Sequence, residues 1–545
     1  MSVPEHTKTT YDVLIVGAGP TGAVAAKRFT EEGFTVICLE QGEYPDYTTI
    51  KSDSDEFELA KDRHFSWYPN RRQAPSDYPI NDDESDVAPL MWNGVGGSSI
   101  LYAAAWHRFK PSDFRVHTLD GVAEDWPFDY WELAPYYDRV EVDFSVSGLP
   151  GDPSMPDFEP PLPPFPLGDM ERRFAAAHDR LGWHWWQGTN AIASVKHGNL
   201  LPCVRRGSCL WACNDGAKAS VDRTHWPVSI AQGAKLVQNA RVQRIETENG
   251  LATGATYVDR ATGKTHFQPA RTVFVAANGI GTPRLLLNSA SASHPNGLAN
   301  SSGMVGKRLM MHPYSVVVGL FDDFFDGWQG PYGQRAYSLE FQETHPDRDF
   351  VRGAKWQLMG TGGPLASTGA WPFNGITWGK DIHKEVSRRF GHSAGWSIIA
   401  EDLPYEYNTV TLDPDLVDDD GLPAPKLRYR ASENTKRLLD FNQQQAQISM
   451  KEAGAYETIV ASIVRETGWH LLGTCTMGND PATSVVDGTG RAHDVSNLFL
   501  VDGSVVPTSG CVNPTGTVAA LSLRTADLAI KAAKDQRVPL AAKSM

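Results

Sequence analysis

The chain has 545 residues, 41% of them hydrophobic and 21% charged, with 50 basic against 65 acidic side chains and a formal net charge of −15. That balance excludes a disordered chain, supplies about three domains' worth of core, and sets like-charge repulsion against nucleic acid as a partner. Six cysteines make no disulfide framework, no apolar run reaches bilayer-spanning length, and no Sec-like or twin-arginine leader precedes the first strand, so the expectation is a cytoplasmic protein with free thiols and no membrane span.

The first predicted element is a strand beginning near Tyr11. Val13 to Val16 is a short continuous apolar run, the pattern of a parallel strand covered on both faces. Gly17-Ala-Gly19-Pro-Thr-Gly22 follows, then a helix from about Ala23 to Glu32 and a second strand from Thr35 to Glu40. In this setting the glycines carry specific physics. Gly17 permits the tight strand-to-helix turn, Gly19 lets a pyrophosphate approach the backbone, and Gly22 lets the helix pack closely on the strand. The phosphates sit at the positive helix end. Glu40 is placed to accept from a ribose diol and disfavours a 2′-phosphate, so NADP is not expected.

Residues 43–92 are polar and mixed and read as an excursion of loop and short helices. The Gly/Ser cluster Asn93-Gly94-Val95-Gly96-Gly97-Ser98-Ser99 comes next; alone it is a turn. Residues 149–200 form a second excursion, whose proline-rich start, Pro150 to Pro166, resembles an extended connection. Trp183-His-Trp-Trp186 reads as core packing, although aromatic faces also stack on sugars. Lys235 to Thr247 reads as one strand and 251–260 as another. Thr272 to Ala277 is again a continuous apolar run, closed by Asn278-Gly279.

Residues 312–464 hold many aromatics and alternating stretches such as Ser315 to Leu320, the signature of a mostly antiparallel sheet with helices in a separate domain. Substrate choice is expected there. The tail from Gly468 returns to the α/β pattern of the N-terminal part. Asn497 to Asp502 is a strand ending in an acid, and Asn513 to Lys531 is a helix that packs back on the first sheet. Asp502 is placed to bind a ribityl hydroxyl. A nucleotide site that needs both ends of the chain suits FAD rather than NAD. The expected division is 1–311 for the first part of a nucleotide domain, 312–464 for a substrate domain, and 465–545 for the return.

Several segments in order resemble the glucose–methanol–choline oxidoreductase family. They are the N-terminal unit, the Gly94–Ser99 cluster, Ala276-Ala-Asn-Gly279 with Thr282-Pro-Arg-Leu285, Val305-Gly-Lys-Arg-Leu-Met-Met-His312-Pro, His470-Leu-Leu-Gly-Thr-Cys-Thr-Met-Gly478, Val501-Asp-Gly-Ser504, and Asn513-Pro-Thr515-Gly-Thr517. Glu124-Asp-Trp-Pro127, Leu133-Ala-Pro-Tyr-Tyr137 and a three-cysteine segment are most similar to its bacterial sugar and polyol dehydrogenase branch. The resemblance implies an α/β fold: a Rossmann-like FAD-binding domain with an interleaved α+β substrate domain on a mainly antiparallel sheet. It implies cofactor contacts at Gly17, Gly19, Gly22, Glu40, Asn93, Gly94, Gly97, Ser98, Val242, Ala277, Asp502 and Thr515, and a catalytic pair at His470 and Asn513.

The implied chemistry fits those residue types. A neutral imidazole takes the hydroxyl proton, Asn513 orients the hydroxyl, and hydride passes from the carbinol carbon to the flavin. The implied substrate is a sugar, glycoside or polyol; an aryl or aliphatic alcohol is the alternative. Oxygen or another electron acceptor closes the cycle. A lyase of the same fold without net redox turnover, and a flavin-binding subunit of an electron-transfer assembly, are the competing classes. Some members attach FAD through a histidine shortly after the glycine pair. Leu101 occupies that place here, so non-covalent FAD is expected; His107 lies further along. Cys203-x5-Cys209-x3-Cys213 resembles the spacing that holds a three-iron cluster in some dehydrogenases of the branch. Asn214 stands where those relatives have proline, so three free thiols and no metal are the expectation.

Overall fold

The computed structural model describes residues 5–7, 9–49, 52, 54, 57, 66–325, 327–360, 363–368 and 378–535. Its largest sheet has eight strands. Along the main path the order is Lys235–Val237, Val36–Leu39, Tyr11–Val16, Lys264–Val275, Leu251–Asp259 and Ala240–Glu248, with Glu5–His6 and Leu498–Leu500 also paired to Lys264–Val275. Five of these strands run parallel around the nucleotide half, from Lys235–Val237 to Leu498–Leu500. Val13 to Val16 and Val36 to Leu39 are buried, as strands covered on both faces must be. The helix Thr515–Lys534 packs against the helices Pro20–Glu31 and Tyr130–Asp143, so the C-terminal segment closes the layer that the N-terminal one opens.

The helix that follows the glycine turn begins at Pro20, three residues before the sequence expectation. Proline is accepted at the first helical position because its missing N–H has no partner there in any case. The expected strand from Lys235 to Thr247 is in fact two strands, Lys235–Val237 and Ala240–Glu248. Asn239 separates them with φ +56°, a left-handed turn that asparagine tolerates.

The second sheet is antiparallel throughout, in the order Glu457–Ala461, Tyr314–Leu320, Ser393–Ala400, Ala354–Gly360, Ala336–Ser338 and Trp186–Gln187. The helix Glu433–Glu452 covers one face. Ser432 caps that helix by accepting from the Thr435 N–H at 3.1 Å. Alternation sends Trp356 and Leu358 into the apolar cluster under the helix. Lys355, Gln357 and Met359 therefore fall on the opposite face. Trp183 packs on Phe341 and Trp356, so this member of the tryptophan run is a half-buried residue against the core cluster.

A third sheet corrects the reading of residues 43–92 as loop and short helices. Asn81–Ser85 is a strand, paired in parallel with Pro423–Tyr429, which pairs antiparallel with Thr409–Val417. Its sequence, Asn-Asp-Asp-Glu-Ser, has no apolar alternation, and pairing with a distant strand selects its conformation. Among the described residues no helix is long and apolar enough to cross a membrane.

Candidate active site

The strand register places the site. Val16 lies opposite both Leu39 and Val275, and Val275 opposite Leu500. Four parallel strands thus end level, and the residues that follow three of them, Gly17, Glu40 and Ala276, border one cleft together with Asp502, two residues beyond the fourth. Clefts at the carboxyl ends of parallel strands are where open α/β sheets bind ligands. This one encloses about 1340 Å³ of empty space, part of it open to solvent. The first turns of three helices, at Pro20–Thr21, Asn278–Gly281 and Thr515–Val518, line it and turn positive dipole ends toward it.

The structure brings most of the expected cofactor residues to this cleft: Gly17, Gly19, Glu40, Asn93, Gly97, Ser98, Val242, Ala277, Asp502 and Thr515, together with His470. Gly22 and Gly94 do not line it. A Cβ on Gly22 would overlap the Gly17 carbonyl oxygen, so Gly22 acts through close packing of helix on strand. Gly94 lies under the cleft wall, where a Cβ would stand 2.7 Å from the Glu43 carbonyl oxygen. Glu40 is buried, and its carboxylate accepts from the Ala18 N–H at 2.8 Å and the Gly42 N–H at 3.0 Å. Burial raises its pKa, and these backbone bonds oppose the rise. Asp502 is also buried and raised by burial; it accepts from the Thr282 hydroxyl, the Asn278 N–H and the Ser504 N–H. It thus braces the turn after Ala277 as well as lining the cleft.

A second cavity, of about 920 Å³ with its open part, meets the first at Pro20, Ser98, Trp469, His470 and Thr515. Asn513 lines it opposite Gln357, Met359 and Ser397 of the antiparallel sheet. His470 Nδ1 lies 2.8 Å from His312 Nδ1, and His312 Nε2 lies 2.6 Å from the Gly510 carbonyl oxygen. A carbonyl only accepts, so neutral His312 carries its proton on Nε2 and accepts at Nδ1. His470 must then donate from Nδ1, which leaves Nε2 as an unprotonated acceptor. Both rings stay neutral. Burial pushes His312 down to about 4. Burial, then His312 and Lys355, hold His470 well below the ordinary histidine range. His312 has φ +50°, a left-handed backbone that histidine adopts more readily than most residues.

Asn513 has a matching constraint. Its Oδ1 accepts from Lys355 Nζ at 2.6 Å, and its Nδ2 has no partner among the described residues. His312 was visible in sequence only as part of a resemblance motif. Lys355, Gln357 and the aromatic lining by Trp67, Tyr314, Tyr332 and Trp469 were missed. The signal for Lys355 is alternation: it shares a strand face with Gln357.

The remaining candidates lie elsewhere or do other work. Leu101 is buried and lines the second cavity, whereas His107 is buried against Gln334 at 2.8 Å and borders neither space. Cys203, Cys209 and Cys213 are free thiols. Burial pushes the Cys209 thiol up to about 12 and raises Cys203 as well, the behaviour of unreactive cysteines. Among the described residues no three His, Cys, Asp or Glu side chains converge as metal ligands.

A dinucleotide-sized cleft at the ends of parallel strands, opening onto a closed polar pair, defines a cofactor-dependent oxidoreductase of mixed α/β fold. The chain belongs to the GMC oxidoreductase family, whose N-terminal model matches residues 11–314 and whose C-terminal model matches residues 404–522. It is 42% identical to 2-methyl-1,2-propanediol dehydrogenase of Mycolicibacterium austroafricanum, over 95% of this chain and 94% of that protein. It is 30% identical to the fructose dehydrogenase large subunit of Gluconobacter japonicus, over 95% of this chain and 97% of that protein. The solved structure of pyridoxine 4-oxidase from Mesorbium loti shares the fold, with a TM-score of 0.68 and 16% identity over 96% of this chain and 99% of that one.

The family is generally FAD-binding, and the residues present fit that group. A Cβ on Gly19 would meet only the Gly97 Cα, at 3.7 Å, so the side of the cleft at that glycine is open backbone. Trp469 borders both cavities, and its buried Nε1 has no partner among the described residues. A bound ligand would satisfy that donor, whose desolvation otherwise costs about 1–3 kcal/mol.

Proposed function

We propose that the protein oxidises a CH–OH group to a carbonyl, with His470 Nε2 taking the hydroxyl proton and Asn513 Nδ2 holding the alcohol oxygen. The observation that carries this is the opposite polarity of the two side chains at one cavity. An alcohol presents a donor and an acceptor on one oxygen, and here an unprotonated ring nitrogen meets the first and an amide N–H the second. The low pKa of His470 keeps that nitrogen free to accept. Bound FAD supplies the two-electron acceptor for the hydride that leaves the carbinol carbon. Glu40 and the Gly17–Gly19 turn hold the adenosine and pyrophosphate parts, and Asp502 the ribityl part. Leu101 leaves no histidine for a covalent link at its position, so the cofactor is held non-covalently. The free thiols suit a reducing, cytoplasmic compartment.

The lining supports a compact substrate. Leu90, Met91, Leu101, Tyr102, Tyr314 and Met359 give the second cavity an apolar wall, which receives carbon better than a ring of hydroxyls. Trp67 and Trp469 also line it, and both have buried Nε1 atoms without partners among the described residues. A second hydroxyl would accept from one of them. A short branched diol combines these features better than a hexose, in keeping with the names of the polyol and sugar dehydrogenases among the relatives.

The test is turnover of 2-methyl-1,2-propanediol, glycerol, fructose and benzyl alcohol, with oxygen and with an artificial acceptor, followed by analysis of the carbonyl product. The short diol is expected to be oxidised most efficiently. Absence of a carbonyl product from all four would refute the reading, and cleavage without acceptor reduction would favour a lyase.

A further inference from the structure

Lys355 is fully buried, and among the described residues no carboxylate lies within ion-pair distance of it. Its surroundings hold Cys511, His107, His312 and His470, none of which is a standing anion in this pocket. A buried amine without a counter-ion is costly and shifts toward its neutral form. Burial holds Lys355 well below the ordinary lysine range. Packing gives no reason for lysine at this position, since apolar residues fill the other face of the same strand.

Its two contacts supply one. Nζ donates to Asn513 Oδ1 at 2.6 Å and to Gln357 Oε1 at 3.3 Å. Gln357 Nε2 donates in turn to the Gly333 carbonyl oxygen. That carbonyl fixes which end of Gln357 faces Lys355. The neutral amine has two N–H donors, and its contacts with Gln357 Oε1 and Asn513 Oδ1 spend both, which engages Asn513 at its oxygen and turns Nδ2 toward the cavity. A flipped Asn513 would present Oδ1 to the alcohol. The hydroxyl would donate there instead of to His470 Nε2, and its proton would point away from the base.

We propose that Lys355 is a positioning residue for alcohol oxidation, which fixes the donor end of Asn513 toward the alcohol oxygen through the chain Gly333–Gln357–Lys355–Asn513. This rests on the function proposed above. It parallels the other half of the site, where the Gly510 carbonyl sets the polarity of His470 through His312. Two backbone carbonyls, each acting through buried side chains, present one acceptor and one donor to a single oxygen.

The test compares Lys355→Met, Lys355→Gln, Asn513→Ala and the double variant Lys355→Met/Asn513→Ala. Each is assayed for FAD content, melting temperature, the limiting rate of anaerobic flavin reduction and the apparent Kd, with 2-methyl-1,2-propanediol as the probe. Lys355→Met is expected to keep its FAD and melting temperature, to be reduced about 10–100-fold more slowly, and to change Kd by less than about threefold. Lys355→Gln, which retains an N–H donor, should recover part of the rate. In the Asn513→Ala background the lysine change should cost less than about twofold, because the group it positions is gone. A single-variant rate within about twofold of wild type, or the same loss with and without Asn513, overturns the proposal. If Lys355→Met does not fold, Lys355→Gln with and without Asn513 carries the same comparison. If wild type itself is not reduced by the probe, the functional reading fails instead. A crystal structure of the lysine variant then decides the positioning claim: an unmoved Asn513 amide overturns it, and a rotated one supports it.

Discussion

Replacing His312 by Phe probes the polarity of the site most sharply. In the wild type His470 Nδ1 and His312 Nδ1 are 2.8 Å apart, and His312 is anchored on Gly510. Phenylalanine fills similar space but accepts nothing, so the Nδ1–H of His470 loses its partner in a buried site. An unmet buried donor costs about 1–3 kcal/mol. The ring escapes that cost by moving its proton to Nε2, the atom proposed to accept from the alcohol. Either way the productive state lies about 1–3 kcal/mol higher, which slows the proton-coupled step about five- to 150-fold. Stopped-flow anaerobic reduction should show that loss in the limiting rate, with Kd and FAD content nearly unchanged. His312→Gln, whose Oε1 can accept, should restore part of the rate. A Phe variant reduced at the wild-type rate would refute the assignment of the His470 tautomer.

Two further predictions concern the cofactor end and the pH profile. Glu40→Arg removes the acceptor of the Ala18 and Gly42 N–H groups and places a cation in a buried site, so purified protein should carry less FAD and melt at a lower temperature; unchanged flavin content would sink the ribose assignment. Because the pKa of His470 is held down, its base form is present above that depressed value and is lost only as pH falls through it. The limiting rate of flavin reduction should therefore be flat from about pH 8 down through about 6.5, the ordinary histidine value. A midpoint above about 7 would show that burial does not govern this base.

The legible parts of the molecule were those where local chemistry and global fold agree. Tyr11 to Glu40 carries a strand pattern, a turn of required glycines and a terminal acid in unbroken sequence, and each became what its residue types demand. Asn81–Ser85 was not legible, because five polar residues become a strand only through pairing with Pro423–Tyr429. The break at Asn239 hid inside a run with continuous strand character. At the site, His470 and His312 were visible separately, but their contact joins residues 158 positions apart, and the tautomer depends on the Gly510 carbonyl. Lys355 was invisible for another reason. In Ala-Lys-Trp-Gln-Leu-Met-Gly the polar members alternate as they would on a solvated face, and only the fold shows that this face borders the second cavity.

Everything proposed for the site depends on an alcohol delivering its proton to His470 as its carbinol carbon is oxidised. The anaerobic absorbance spectrum of purified wild type and of His470→Leu, taken before and after adding 2-methyl-1,2-propanediol or the best alcohol of the panel, tests that step itself. Flavin bands are expected in both proteins, with rapid bleaching in wild type and bands that persist in the variant. Equal bleaching in the variant would remove His470 from the mechanism, and a folded wild-type protein without flavin bands would overturn the flavin-dependent reading at its root.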